Sequence, residues 1–153
     1  MNDEIASYID GISETLLSVS HEIHAHPELA FEEHRASDLL VRTAEQHGIE
    51  MKRGAYELET AFEGAIQGGA GAGPNIAVLA EYDALPGIGH ACGHNLIATA
   101  ALGASLALQH VRDLLPGSVT FMGTPAEEKG GGKEFHLFEK MFYYYKVQSI
   151  SCY

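Results

Sequence analysis

Residues 75–80 read NIAVLA, and this apolar run leads directly into the polar segment EYDALPGIGHACGHN at 81–95. Such a run is typical of a strand that is buried on both faces of a sheet. The stretch from Leu96 to Val111 is rich in Ala and Leu and lacks proline, which predicts a buried helix. A second apolar run, SVTFMG at 118–123, predicts another strand, and TPAEE follows it at 124–128.

The residues ahead of this unit predict two helices. Apolar side chains recur every three or four residues from Ile5 to Ile23, which predicts one amphipathic helix that ends near Pro27. A second helix is expected from Glu32 to His47, with an acidic first turn and Gly48 as the residue that ends it.

Residues 60–67 predict a further short strand, and the glycine-rich run at 68–73 predicts a mobile hairpin turn. That run lacks the Gly-Lys-Ser/Thr ending of a phosphate-binding loop. Two helices followed by the order strand, strand, helix, strand indicate an α/β or α+β layered domain with a mixed sheet.

Composition excludes several classes of protein. The chain has 153 residues, 46% of them hydrophobic and 20% charged, a balance typical of one globular domain. The net charge of −12 excludes nucleic acid as a partner, because phosphate contacts need clustered basic side chains.

No apolar run reaches the roughly 20 residues of a membrane span. Met1–Glu4 lacks the features of a signal peptide, and Cys92 and Cys152 are the two cysteines, so we expect a cytoplasmic protein without a disulfide.

The composition changes near residue 133. All 17 glycines precede residue 134, and seven of the 13 Tyr and Phe residues lie within 134–153. We therefore expect a domain over residues 1–133 and a divergent, aromatic-rich tail over 134–153.

Cys92 and His94 form the first half of a candidate metal site. Thiolate and imidazole are both good ligands for Zn²⁺, and Gly93 between them allows a turn that aims both side chains one way. The alternative is a buried small thiol and a hydrogen-bonded histidine just before a helix. The two polar clusters follow two strands, and ligands gather at the carboxyl ends of strands in α/β sheets.

Glu127 and Glu128 form the second half. Neighbouring residues of an extended chain point in opposite directions, so both can face one site only where the strand breaks, as Pro125 and the following glycines allow. One carboxylate coordinating a metal beside one that moves a proton is the pairing that hydrolysis needs. Alone, such a pair is usually solvated surface. Asp83 is expected to hold a metal ligand in place, with a turn residue as the alternative, and Glu81 receives no firm role.

Four separated segments together resemble a known family: HAHPEL at 24–29, AEYDALP at 80–86, HACGHN at 90–95 and GTPAEE at 123–128. They resemble the zinc metallopeptidases related to aminoacylase and carboxypeptidase G. The Cys-Gly-His motif is similar to the amidohydrolase branch. Taken together, the sequences of these segments are similar to those of its dipeptidase-like members, which cleave dipeptides such as β-alanyl-lysine. The resemblance covers residues 15–133.

The resemblance implies a site. Cys92, His94 and Glu128 are its metal ligands, with Cys92 bridging two ions where two are bound. Glu127 is the general base, and we expect Asp83 to be a catalytic residue alongside it. Glu81 stands where other branches carry a histidine ligand. The implied cofactor is one or two Zn²⁺ ions, with Mn²⁺ as the alternative, and the implied substrate is a dipeptide or an N-acyl amino acid.

The resemblance also implies that the chain is incomplete. Family members are longer, and they take two further histidine ligands from downstream segments. We therefore expect the N-terminal portion of a zinc-peptidase-like catalytic domain, inactive or impaired as a hydrolase. The alternatives are a non-catalytic truncated isoform that pairs with or regulates the full-length protein, or an unstable fragment. The expected protein partner is a second copy of the chain or the full-length protein.

Overall fold

The computed structural model describes residues 1–129 and 149–151. Within them the α-helices and strands follow in the order α1 (Asn2–Gly11), α2 (Ser13–Ala25), α3 (His34–Gln46), β1 (Glu50–Arg53), β2 (Phe62–Gln67), β3 (Asn75–Ala80), α4 (His94–His110), β4 (Ser118–Gly123) and β5 (Ser149–Ser151). None of the described helices is long and apolar enough to cross a bilayer. Apart from β5, the predicted tail at 134–153 lies outside the described residues.

The strands form one mixed sheet in the order β1-β2-β4-β3-β5. The β1–β2 and β2–β4 pairs are antiparallel, whereas β4–β3 and β3–β5 are parallel. The helix α4 connects the parallel neighbours β3 and β4, as a crossover between parallel strands requires. The predicted α/β class with a mixed sheet and flanking helices is therefore confirmed.

Three predicted features are wrong. The second predicted helix begins at His34 rather than Glu32, so both glutamates precede it and its first turn has no acidic residue. The single N-terminal helix is divided into α1 and α2 at Ile12. Gly11 is a poor helix former, and the Ser13 hydroxyl donates to the Asp10 carbonyl at 2.8 Å, so the local sequence favours a break that the apolar spacing conceals.

The glycine-rich run at 68–73 is not a hairpin turn, because β2 and β3 lie on opposite sides of β4. The run instead packs against the segment that enters β4. The Gly68 amide donates to the Gly117 carbonyl at 2.9 Å, and a Cβ at Gly68 would lie 2.2 Å from the Leu115 carbonyl oxygen. Glycine is needed there for close backbone approach.

The main core lies between α2, α3 and α4 and one face of the sheet. Phe62 is at its centre: its ring stacks on Tyr82 with a centroid separation of 5.7 Å and lies 5.1 Å from the ring of Phe121. The buried Tyr82 hydroxyl donates to the Thr60 carbonyl at 2.7 Å. These contacts hold the side chain of Tyr82 in place. Because Tyr82 lies between Glu81 and Asp83 in the sequence, they also fix the start of the loop after β3.

Replacing Gly123 with alanine should destabilise the fold by about 1–3 kcal/mol through overpacking. A Cβ at this position would lie 2.3 Å from Cε1 of Phe62, whose ring is enclosed by the core. Urea unfolding of the two proteins measures the difference. Gly11→Ala is the matched control, since a Cβ there meets nothing within 4 Å. Equal stability of the Gly123→Ala and Gly11→Ala proteins would contradict this packing argument.

Candidate metal centre

The carboxyl ends of β3 and β4 lie side by side, because Ala80 pairs with Gly123 in parallel register. Thr124 extends this contact: its amide donates to the Ala80 carbonyl at 2.8 Å and its hydroxyl donates to the same oxygen at 3.0 Å. The segments 81–95 and 124–129 therefore leave the sheet at one edge. The two polar clusters of the sequence meet at that edge.

His94 is buried at the centre of this edge, at the first residue of α4. Its Nδ1 lies 2.9 Å from both the carboxylate Oδ1 and the backbone carbonyl of Asp83. Both oxygens are acceptors, so Nδ1 carries a proton, and in the neutral imidazole the lone pair is on Nε2. Nε2 lies 3.5 Å from Oε2 of Glu81 and 3.8 Å from Oε1 of Glu128. Asp83 thus orients the ring and aims Nε2 at two carboxylates.

Asp83 ties the two loops together. Its second oxygen, Oδ2, accepts the backbone amide of Glu128 at 3.0 Å. Burial alone would raise the pKa of Asp83, but hydrogen bonds from His94 and from the backbone amide of Glu128 outweigh burial and lower it. The hydrogen bond to Asp83 in turn raises the pKa of His94.

The chain turns sharply just before the two glutamates. Ala126 has a φ of 58°, in the left-handed region that non-glycine residues seldom adopt. The expected break in the strand is therefore present, and it falls at Ala126. One carboxylate oxygen of Glu127 lies within 4.8 Å of ligand atoms of both Glu81 and His94. Glu127 and Glu128 accordingly reach the same imidazole.

Cys92 lies on the exposed rim of the edge. Glu128, as a hydrogen-bond acceptor and as a nearby negative charge, raises the pKa of this thiol. The structure thus brings together all five residues that the sequence singles out: Asp83, Cys92, His94, Glu127 and Glu128.

A second, more closely spaced group of possible metal ligands also includes His94. Within residues 1–129 and 149–151, Glu81, His94 and Glu127 offer ligand atoms that all lie within 4.8 Å of one another. Imidazole and carboxylate ligands bind Zn²⁺ at about 2.0–2.2 Å, so ligand atoms this close to one another are near the spacing that one divalent ion requires. Several carboxylates also converge on one imidazole, a repulsion that a bound cation relieves. The donor set as a whole fits a metal.

An open cleft of about 430 Å³ adjoins this centre. Its wall on one side comes from the α2–α3 connection, including Leu29 and Phe31, and on the other side from Leu85 and Pro86. Glu128 lines the same cleft. A molecule bound in this cleft would therefore contact Glu128 directly.

Two residues of the site are not predicted by the sequence. Glu81 receives no firm role from it, although its carboxylate faces Nε2 of His94. Glu33 is fully buried and accepts the amide of Ala126 at 2.9 Å. Its place at the acidic start of the second predicted helix suggests a solvent-exposed position, and no local signal distinguishes it from exposed neighbours.

Curated relatives share this pattern of sequence. The profile of the peptidase family M20/M25/M40 matches residues 77–150. A Xaa-Arg dipeptidase of Mus musculus is 45% identical in an alignment of 139 positions that covers 84% of this chain and 32% of the relative. An N-acetyl-L-cysteine deacetylase of Bacillus subtilis is 33% identical in an alignment of 135 positions that covers 79% of this chain and 32% of the relative.

Solved structures share the fold. A dinuclear metal-binding peptidase of the M20 family from Bacillus subtilis matches with a TM-score of 0.70 and 30% identity, over 76% of this chain and 36% of that one. A protein described as an aminohydrolase from methicillin-resistant Staphylococcus aureus matches with a TM-score of 0.74 and 23% identity, over 84% of this chain and 36% of that one.

The sequence matches and the shared fold relate the chain to the M20 peptidases. It belongs to peptidase family M20/M25/M40. The chain spans about a third of the length of the curated relatives it matches.

Proposed function

We propose that this chain carries the general base and part of the metal site of a hydrolase that cleaves amide bonds in dipeptides or N-acyl amino acids. The observation that carries the proposal is the placement of His94, which is held by Asp83 through Nδ1 and faces the carboxylates of Glu81 and Glu128 through Nε2. A relative named Xaa-Arg dipeptidase supports a dipeptide as the substrate, and one named N-acetyl-L-cysteine deacetylase supports an N-acyl amino acid.

Cys92, His94 and Glu128 are the proposed metal ligands, and Glu81 is a fourth candidate. Zn²⁺ suits this mixture of thiolate, imidazole and carboxylate, and Mn²⁺ is the alternative. The dinuclear metal site named for the Bacillus subtilis neighbour supports room for a second ion. When bound, the metal lowers the pKa of water and polarises the scissile carbonyl.

Glu127 is the proposed general base. Its carboxylate takes a proton from the attacking water and delivers it to the leaving nitrogen, a transfer that requires a carboxylate close to the metal. The left-handed turn at Ala126 supports this division of labour, because it lets Glu127 and Glu128 face one centre from successive positions. Asp83 keeps the proton on Nδ1 of His94, so Nε2 remains a ligand.

The cleft beside Glu128 is the proposed substrate site. Leu29 and Phe31 are 40% and 45% exposed on its wall, so apolar surface is available to a side chain or acyl group. One end of the cleft reaches the metal-ligating edge, which is where a scissile amide must lie.

A second candidate function is that of a non-catalytic partner of a longer copy of the same protein. An apolar groove of about 410 Å³ between β3 and α4 favours it. Its lining consists of aliphatic side chains, including Ile76, Val78, Ile97 and Leu108. Exposed apolar surface of this kind is usually covered by a partner or by another part of the fold.

A cytoplasmic location also belongs to the proposal, and it rests on the low cysteine content alone.

Zinc binding and hydrolysis by the 153-residue chain test the first candidate. We expect weak zinc binding in equilibrium dialysis and slow release of lysine from β-alanyl-lysine or arginine from an Xaa-Arg dipeptide, abolished by a chelator. Cys92→Ser should reduce zinc affinity, whereas the control Glu14→Gln, on the exposed surface of α2, should not. A folded chain with neither zinc nor turnover would favour the second candidate.

A further inference from the structure

Glu33 is a fully buried carboxylate at the start of α3. A buried carboxylate is costly unless hydrogen bonds satisfy it. Oε1 accepts the backbone amides of Phe31 and Ala126, each at 2.9 Å, and Oε2 accepts the Thr60 hydroxyl at 2.9 Å. Burial raises the pKa of Glu33, although these bonds oppose that effect.

Both backbone groups that bind Oε1 belong to strained residues. Phe31 has a φ of 65° and Ala126 a φ of 58°. L residues with side chains seldom adopt this left-handed conformation, and they keep it only where the surroundings hold it. One carboxylate oxygen therefore holds two unfavourable turns, and the second of them is 93 residues away from Glu33 in sequence.

Both turns lie at the candidate site. Ala126 directly precedes Glu127 and Glu128, so its conformation decides where those two side chains point. Phe31 lines the cleft that Glu128 also lines. Glu33 itself is buried behind the turns and has no described contact with the metal-ligating atoms.

We propose that Glu33 is a positioning residue that, through Oε1, holds Ala126 in its left-handed turn and thereby places Glu127 and Glu128 at the metal centre. The same oxygen fixes Phe31 in the wall of the cleft. The inference rests on the proposed function for the roles of Glu127 and Glu128. The conformational part of it stands on the hydrogen bonds alone.

Three substitutions separate this role from general stability. Glu33→Met keeps the length of the side chain and removes both acceptors. Glu33→Gln keeps an acceptor oxygen for Phe31 and Ala126, and its amide can donate to the Thr60 hydroxyl. Thr60→Val is the matched control, because it removes the bond to Oε2 and leaves the bonds to Oε1 in place.

Two readouts are compared at a temperature where all variants are folded. Amide hydrogen exchange at Ala126, resolved by NMR, should accelerate at least about tenfold in Glu33→Met, and zinc affinity should fall about tenfold, as when a residue that supports a metal ligand is lost. Glu33→Gln should restore both to within about threefold of the wild type, and Thr60→Val should leave both unchanged. If Glu33→Met does not fold, Glu33→Asp, which is shorter by one methylene, is measured in its place.

Wild-type exchange at Ala126 in Glu33→Met or Glu33→Asp would overturn the inference, as would a Thr60→Val protein that is as impaired as Glu33→Met. If the wild-type chain binds no zinc, the proposed function fails. The exchange of Ala126 still decides whether Glu33 holds the turn.

Discussion

Replacing Glu127 with glutamine should lower turnover per bound metal by about 10²- to 10⁴-fold, the usual contribution of a general base. Glutamine preserves the size of the side chain but cannot take a proton from water. Because Cys92, His94 and Glu128 are the proposed ligands, the zinc affinity of this variant should stay within a few-fold of the wild type. Product release from a dipeptide, divided by the zinc bound in equilibrium dialysis, measures the effect.

Glu128→Gln should show the opposite pattern, with reduced zinc affinity and turnover that recovers in excess zinc. Glu14→Gln, on the exposed surface of α2, is the matched control and should behave as the wild type. The base assignment would be contradicted if Glu127→Gln lost zinc but kept its turnover per metal. That result would instead make Glu127 a ligand together with Glu81 and His94, whose ligand atoms lie within 4.8 Å of its own.

The sequence predicts those parts of the structure that depend on neighbouring residues. The strands at 75–80 and 118–123 and the helix between them are confirmed, because continuous apolar runs and a proline-free stretch determine them locally. The convergence of Asp83, His94 and Glu128 also follows from the sequence, since parallel strands joined by one helix end at the same edge of a sheet.

The sequence cannot show what depends on distant partners. The position of β2 beside β4 rather than β3 is a matter of pairing across the sheet, so the glycine-rich run looks like a hairpin turn when it is not. Glu33 looks like a solvated residue of a helix start, because the amide of Ala126 that it accepts comes from a distant segment. Glu81 has no histidine or cysteine next to it in sequence, and only the fold brings it within 3.5 Å of His94.

Replacing His94 with alanine should weaken zinc binding by more than the roughly 10- to 100-fold that the loss of a supporting residue typically costs. His94 lies at the point where the two loops meet: its Nδ1 is 2.9 Å from Asp83, and its Nε2 faces Glu81 and Glu128. Without the imidazole, the remaining carboxylates have no neutral ligand between them. Equilibrium dialysis with zinc on the folded variant, with circular dichroism as the check on folding, measures the affinity.

Asp83→Asn should fall between His94→Ala and the wild type, with an affinity loss of about 10- to 100-fold. The carboxylate accepts from His94 through one oxygen and from the Glu128 amide through the other, and asparagine has an acceptor for only one of them. His110→Ala is the matched control, since it lies at the far end of α4, about 24 Å away along the helix. An affinity loss in His110→Ala equal to that in His94→Ala, or full affinity in His94→Ala, would remove His94 from the metal centre.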